Sequence, residues 1–479
     1  MNKKTPLANP DEVQSINGRA AKPAESTDSV AADQPASQTS AVRRRRVPIV
    51  AIVGRANVGK SSLFNTIIGR REAIIADEPG TTRDNVTAKA SFDGKDFWLV
   101  DTAGLKNASD EFELSIQDQI IHASEDADVI AVVTEADVLV TAEDRRVAKL
   151  ALRTKKPVVL VVNKIDKNYR ANLNEWRTLG IENIVATSTT QKKGIDELLE
   201  RISGKLPPAR IREESDRIHA ALLGRPNVGK SSLFNSLAKK QQAIVSSRAG
   251  TTRDVNRAVI RYEGREIQLM DTAGIRRPGR IERGVEHFSV LRALAAIEES
   301  DVTMLLMDAN ELNVQLDQKI AGLVKEAGKG LILVVSKWDS MDKDAFTRDH
   351  IAPQIAANFV FVPWAPLIFT SSVTGQNVTK LFDLILEISE ARKQRFTTPE
   401  LNKWLRDVVN QHPPAGLKNR SPKLNYMVQE DDIDMPSFKI FGAHTKFLHW
   451  SYKRYLERKF REKWPLNGTP LKFWFIEKH

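Results

Sequence analysis

Two lysines 170 residues apart, Lys60 and Lys230, each close a glycine-rich run: Gly54-Arg55-Ala56-Asn57-Val58-Gly59-Lys60-Ser61-Ser62 and Gly224-Arg225-Pro226-Asn227-Val228-Gly229-Lys230-Ser231-Ser232. Glycines at this spacing let backbone N–H groups curl around phosphates, and the closing lysine reaches β- and γ-phosphate oxygens. The hydroxyls of Ser61 and Ser231 are placed to ligate Mg²⁺ beside them. The expected nucleotide-binding residues of the loops are thus Gly54, Asn57, Val58, Gly59, Lys60, Ser61 and Ser62, and Gly224, Asn227, Val228, Gly229, Lys230, Ser231 and Ser232. Asp101 and Asp271 end the apolar runs 97–100 and 267–270, where a carboxylate can hold the metal, usually through water. Gly104 and Gly274 close Asp-Thr-Ala-Gly segments, and their N–H groups approach a γ-phosphate only if the loop swings in, which describes a switch.

A second set of residues reads the base. Asn163-Lys164-Ile165-Asp166 follows the apolar run 158–162, and a carboxylate in the fourth position can accept from both the N1–H and the exocyclic amine of guanine. Adenine cannot donate that pair, and the carboxylate left unpaired makes the discrimination of the order of several kcal/mol. The other copy is Ser336-Lys337-Trp338-Asp339. Asp339 keeps the guanine preference, but the short Ser336 should not make both contacts an amide makes, to the base and to the P-loop. One lost hydrogen bond is about 1 kcal/mol, or roughly fivefold in affinity, so the second site should be the weaker. Ala186-Thr187-Ser188 and Thr370-Ser371-Ser372 stand where a further loop would pack beside the base, or are plain loops. Where Ras-type enzymes carry a glutamine that orients the attacking water, this chain has Leu105 and Ile275. Asn57 and Asn227 are then candidates for holding a monovalent cation against the phosphates; the alternative is that they only form the turn.

These residues need a scaffold that presents them together. Gly80-Thr81-Thr82-Arg83-Asp84 recurs at 250–254 and Asp101-Thr102-Ala103-Gly104 at 271–274, both with the 170-residue offset of the P-loops, so the chain holds a tandem repeat. Apolar runs at 47–53 and 218–223 lead into the glycine turns, and each repeat then alternates β-rich and helical stretches. The expected fold class is α/β: two tandem P-loop domains, each a mostly parallel sheet with helices on both faces, followed by an α+β domain. The expected boundaries are a disordered tail 1–46, nucleotide domains 47–205 and 218–392, a linker 206–217, and an RNA-contacting domain 393–479. The tail is rich in Ala, Ser, Pro, Asp and Gln, has no structural period, and ends in Arg43-Arg44-Arg45-Arg46.

Composition limits the function further. The 479 residues carry a net charge of +11, with 15 Lys/Arg against 9 Asp/Glu in residues 396–479 alone, which favours a polyanionic partner. The chain has no cysteine, which excludes disulfides, thiolate metal sites and cysteine nucleophiles. No run of about 18 apolar residues suggests a membrane span. In the C-terminal part, Tyr452, Tyr455, Leu456 and Phe460 share one helical face while Lys453, Arg454, Arg458, Lys459 and Arg461 lie mainly on others. The first reads as core and the second as a phosphate-contacting surface. No GxxG follows residue 396, so the backbone clamp of an ordinary single-strand-binding KH domain is missing.

The doubled P-loop, the paired Thr-Thr-Arg-Asp segments and the hydrophobic residues after Asp-Thr-Ala-Gly resemble the Der (EngA) family of bacterial ribosome-assembly GTPases. Its C-terminal signature is matched in order and spacing by Glu400-Leu401-Asn402-Lys403-Trp404-Leu405, His412-Pro413-Pro414, Lys423-Leu424-Asn425-Tyr426 and Ser451-Tyr452-Lys453-Arg454-Tyr455-Leu456-Glu457. The resemblance implies Era-like GTPase domains, potassium-stimulated hydrolysis through Asn57 and Asn227, and Thr82 and Thr252 closing on Mg²⁺ and the γ-phosphate. Lys60, Thr82, Gly104, Lys230, Thr252 and Gly274 are then the expected catalytic residues. It also implies a KH-like domain and binding of the large ribosomal subunit through folded rRNA, by shape and charge. The expected ligands are GTP and GDP with Mg²⁺, in a cytoplasmic, monomeric protein with neither membrane nor DNA as a partner. A nucleotide-gated rRNA-binding scaffold with little hydrolysis is the alternative. Ala56, Thr134-Glu135, Phe441-Gly442-Ala443-His444 and Ser336 depart from the family's pattern.

Overall fold

The computed structural model describes residues 44–70, 86–102, 123, 126–168, 172–208, 211–212, 217–240, 256–272, 290–312, 314–342, 344, 346–415, 421–431 and 433–477. Arg44–Arg45 (β1), within the arginine run, pairs antiparallel with Ile211–Arg212 (β8) between the repeats. The first repeat then contributes β2 (Ile49–Val53), β3 (Thr87–Phe92), β4 (Lys95–Asp101), β5 (Val129–Glu135), β6 (Val158–Asn163) and β7 (Ile184–Ala186), in the sheet order β3-β4-β2-β5-β6-β7. The second builds the same order, β10-β11-β9-β12-β13-β14, from β9 (Ile218–Gly224), β10 (Asn256–Tyr262), β11 (Arg265–Asp271), β12 (Val302–Asp308), β13 (Gly330–Ser336) and β14 (Leu367–Phe369).

Why these runs become central strands follows from their composition. Ile-Val-Ala-Ile-Val in β2 and Val-Val-Leu-Val-Val-Asn in β6 are buried at every position. A continuous β-branched run suits a parallel strand covered on both faces, where an alternating one would suit a half-exposed antiparallel strand. Only β3–β4 and β10–β11 pair antiparallel; the other pairs of the two sheets are parallel. Parallel strands end on the same edge, which puts the turn after β2, the end of β4 and the end of β6 side by side, where ligands bind in open α/β sheets.

After the second sheet the chain runs through helix Thr398–Gln411, β15 (Lys423–Gln429), β16 (Ser437–Ala443), helix Trp450–Lys463 and β17 (Lys472–Glu477), in a sheet ordered β15-β16-β17. Its core takes in Leu401, Trp404, Phe438, Ile440, Tyr452, Leu456 and Phe460. The α/β class with a C-terminal α+β domain is thus as expected from the sequence. Among the described residues no helix is long and apolar enough to cross a membrane.

The two nucleotide domains share a seam. One hydrophobic cluster includes Ile49, Trp98 and Ile130 together with Leu291, Leu294 and Ile297 of helix Val290–Glu299. At its edge Glu298, 5% exposed, accepts from Trp98 Nε1 at 2.7 Å and from the Val47 backbone N–H at 3.1 Å. Removing a carboxylate from a buried site strands both donors at about 1–3 kcal/mol each. Glu298→Ala is therefore expected to lower the free energy of chemical unfolding by at least about 2 kcal/mol, followed by tryptophan fluorescence; an unchanged midpoint would show that the seam does not hold.

Candidate active sites

Each P-loop passes from its strand into a helix that starts at the lysine, Lys60–Ile68 and Lys230–Lys240. Gly59 turns the chain at φ 93°, and an added Cβ would stand 2.4 Å from Asn163 Nδ2, so no other residue fits there. Asn57 and Asn227 have φ of 63° and 62°, the left-handed conformation asparagine tolerates. Both therefore form the turn, whatever else they hold. Lys60 Nζ donates to Gly54 O at 2.9 Å and Arg55 O at 2.6 Å; Lys230 Nζ donates to Gly224 O at 3.0 Å and Arg225 O at 2.5 Å. Both ammonium groups are buried inside the loop they serve.

The metal-side residues come together as the sequence suggests. Ser61 Oγ donates to Asp101 Oδ2, and Ser231 Oγ to Asp271 Oδ2 at 3.0 Å, with both aspartates fully buried at the ends of β4 and β11. A hydroxyl and a carboxylate side by side, next to a loop that binds phosphate, are the hard oxygen donors Mg²⁺ prefers. Thr102 Oγ1 and Thr272 Oγ1 each donate at 2.8 Å to the strand before the P-loop, at Ile52 O and Leu222 O. These ties pin the start of each Asp-Thr-Ala-Gly segment. Thr82, Gly104, Thr252 and Gly274, with Leu105 and Ile275, lie outside the described residues.

At the base-reading end the two copies differ. Asn163 Nδ2 donates to Val58 O at 3.0 Å and Asn163 Oδ1 accepts from Thr187 Oγ1 at 3.1 Å, so one amide bolts the P-loop to the Ala186-Thr187-Ser188 loop. Ser188 Oγ donates to Asp166 Oδ1 at 2.5 Å, which aims the carboxylate. Lys164 Nζ donates to Asn57 O at 2.7 Å and pairs with Glu135. In the second copy Ser336 Oγ lies 2.6 Å from Val228 O and 3.0 Å from Met307 O, with one proton to share between them. Thr370 Oγ1 turns to Val335 O at 3.3 Å instead. The serine thus keeps the P-loop tie and gives up the bridge to the neighbouring loop. The nearest atom to a Cβ at Gly229 is Lys337 Cγ, at 4.0 Å, so the space the amide fills in the first copy is open here. Lys337 pairs with Asp308 at 2.7 Å.

Sequence reasoning passed over one pair of anchors. Arg55 pairs with Glu135 and, through Nε at 3.2 Å, with Asp144; Arg225 pairs with Glu311 at 2.7 Å and with Asp317 at 3.2 Å. Asp144 is also the third helical residue of a capping box with Thr141, so the P-loop arginine is fastened to a helix N-terminus. The signal that could have found these anchors was an arginine at the same place in both loops. Burial pushes the Asp317 carboxyl up to about 6 against the pull of Arg225.

The fold and the two sites define a tandem guanine-nucleotide-binding P-loop protein with a KH-like C-terminal domain. Residues 49–164 and 219–337 match the family of 50S ribosome-binding GTPases, and residues 395–475 match the KH-domain-like C-terminal region of EngA bacterial GTPase enzymes. The GTPase Der of Chloroflexus aggregans is 43% identical over 433 residues, 88% of this chain and 96% of that protein. The GTPase Der of Herpetosiphon aurantiacus is 41% identical, covering 88% and 95%, and that of Gemmatimonas aurantiaca 40%, covering 89% and 98%. The chain belongs to the GTPase Der family and is a GTPase.

Two outcomes are expected. Asn163→Ser should weaken GDP binding at the first site about fivefold and Ser336→Asn should tighten the second by a similar factor, read by titration with a fluorescent GDP. If Ser336→Asn leaves affinity unchanged, the missing bridge is of no consequence. The folded-state pKa of Asp317, about 6, lies above its unfolded value, so its protonation adds stability as pH falls from 6 towards 4 and that contribution is lost as pH rises through 6. Relative to Asp317→Asn, the wild type should gain up to about 3 kcal/mol of unfolding free energy between pH 7 and pH 4. Urea unfolding at each pH would measure it, and a constant difference would refute the assignment.

Proposed function

We propose that this chain is a GTP-driven switch that assists maturation of the large ribosomal subunit, with both nucleotide domains hydrolysing GTP + H₂O to GDP + phosphate. The observation that carries the guanine reading is the first base pocket, where Asp166 is aimed by Ser188 and its strand is bolted to the P-loop by Asn163. Lys60 and Lys230 would reach the β- and γ-phosphates. Ser61, Thr82 and Asp101, and Ser231, Thr252 and Asp271, would hold Mg²⁺, which supplies charge neutralisation between the phosphates. Gly104 and Gly274 would offer an N–H to the γ-phosphate and so couple its loss to a loop movement. With leucine and isoleucine in place of a water-orienting glutamine, a K⁺ at Asn57 and Asn227 is proposed to supply the missing positive charge.

The partner is proposed to be rRNA of the large subunit, reached through the C-terminal domain. Helix Trp450–Lys463 buries Tyr452, Leu456 and Phe460 and exposes Lys453, Arg454 and Arg458. Buried aromatics with exposed cations make a rigid basic face, suited to phosphate contacts. We place the protein in the cytoplasm as a monomer.

Two measurements test this. Turnover should be faster in KCl than in NaCl and vanish in Lys60→Ala plus Lys230→Ala, whereas a nucleotide-gated scaffold would show little turnover in either salt. Co-sedimentation with purified large subunits should differ between a non-hydrolysable GTP analogue and GDP. Equal binding with both nucleotides would remove the switch from the reading.

A further inference from the structure

The chain has eight tryptophans, all described, and seven are buried or half-buried; Trp450 alone is exposed, at 42%. It is the first residue of helix Trp450–Lys463, at the rim of the C-terminal domain. The Arg454 guanidinium lies over its ring at 4.8 Å from the centroid, and the His449 ring stands 5.4 Å away, tilted by 40°. The His449 ring is itself fixed, with Nδ1 2.6 Å from Ser451 Oγ. From His444 to Arg454 the segment carries Lys446, Lys453, Arg454 and two histidines, and the acid that faces its start is Glu477, which accepts from the His444 N–H at 2.9 Å and stands 3.8 Å from His444 Nδ1. Lys446 and Lys453 are exposed and lie over Phe447 at 5.5 Å and Phe475 at 5.4 Å.

A single exposed apolar side chain is ordinary at a protein surface, so it is the cations around this ring that show what kind of cover fits. An apolar protein partner would have to desolvate the exposed Lys453 and Arg454 beside the ring. A nucleobase brings its own phosphate, so the ring and the cations are satisfied by one ligand. We propose that Trp450, with Arg454 and His449 beside it, is a stacking platform for an unpaired base of RNA. The proposal rests on the RNA-binding reading above and goes beyond it: the domain grips an unstacked nucleotide besides sensing the shape and charge of folded RNA. The ring reads no base edge, so the preference is for unpaired over paired nucleotides and not for one base.

The test uses the full chain and two fluorescein-labelled RNAs, a hairpin with an unpaired loop and a blunt duplex of the same length, in anisotropy titrations over a series of KCl concentrations. Trp450→Ala should weaken hairpin binding about tenfold, the scale of one base stacked on an aromatic ring, and leave duplex binding unchanged. The slope of affinity against salt should also stay the same, because no phosphate contact is removed. Trp450→Tyr should regain most of the loss, and Arg454→Met should keep part of the hairpin preference with a shallower salt slope. Unchanged hairpin affinity in Trp450→Ala, an equal loss on the duplex, or a tyrosine no better than alanine would each overturn the platform. So would normal RNA binding combined with weakened binding to ribosomal subunits, which would assign the ring to a ribosomal protein. If the wild type binds neither RNA, the RNA reading itself fails, a result distinct from losing the hairpin preference alone.

Discussion

A phosphate-binding loop works only if its N–H groups are aimed before the phosphates arrive, because ordering them on binding would consume the affinity they supply. In both nucleotide domains that aim is imposed from three sides. The closing lysine folds back onto Gly54 and Arg55, or Gly224 and Arg225; the loop's arginine is clamped to a helix by Asp144 or Asp317; and the strand that reads the base reaches across to Val58 or Val228. The first tie closes the loop on itself, and the other two join it to elements at the C-terminal edge of the parallel sheet. The chemistry is therefore as rigid as the sheet itself.

The two copies share this plan and differ in how tightly the base end is fastened. An asparagine amide carries an NH₂ donor on one side and a carbonyl acceptor on the other and can join two loops at once, whereas a hydroxyl with a single proton serves one acceptor at a time. Asn163 bridges Val58 and Thr187; Ser336 has Val228 O and Met307 O to choose between, and Thr370 turns to Val335 O on β13. The arginine clamps differ as well. Glu135 is shared by Arg55 and Lys164 in the first domain, while in the second Arg225 has Glu311 and Lys337 has Asp308. Sharing one carboxylate couples the phosphate end to the base end in the first domain; separate carboxylates leave them independent in the second.

The fold was legible in the sequence because its signals were local and repeated: apolar runs of strand length, glycine turns directly after them, and one offset of 170 residues. The site was legible where a motif puts its residues close along the chain, as in Gly54 to Ser62, and where a strand end fixes a side chain, as at Asp101 and Asn163. The anchors of Arg55 and Arg225 were not, since their partners lie 80 to 92 positions away and only the folded sheet brings them near. The β1–β8 pair was missed for a related reason: a two-residue strand in an arginine run carries no period to detect. At Ser336 the sequence showed that a short side chain cannot make every contact an amide makes, but not which contact is given up. The short side chain does reach the P-loop, and what it cannot reach is the loop on the other side.

Long-range contacts decide how the three parts can move. The C-terminal domain is joined to the second nucleotide domain by backbone bonds, Leu331 N to Gly468 O at 2.9 Å and Gly468 N to Trp364 O at 2.8 Å, and by buried Arg392, which reaches Gly328 O and Asp434. Backbone bonds have no rotamers to exchange, so this junction moves as one piece or breaks. The first domain meets the second through Glu298, near the end of the helix that follows the second Asp-Thr-Ala-Gly segment, and its partner Trp98 stands three residues before Asp101 on β4. A shift of that helix must either carry β4 and Val47 with it or give up the buried hydrogen bond from the indole and the half-buried one from the Val47 N–H. The strand that ends in Asp101 of one domain is thus tied, through a single indole, to the helix Val290–Glu299 of the other.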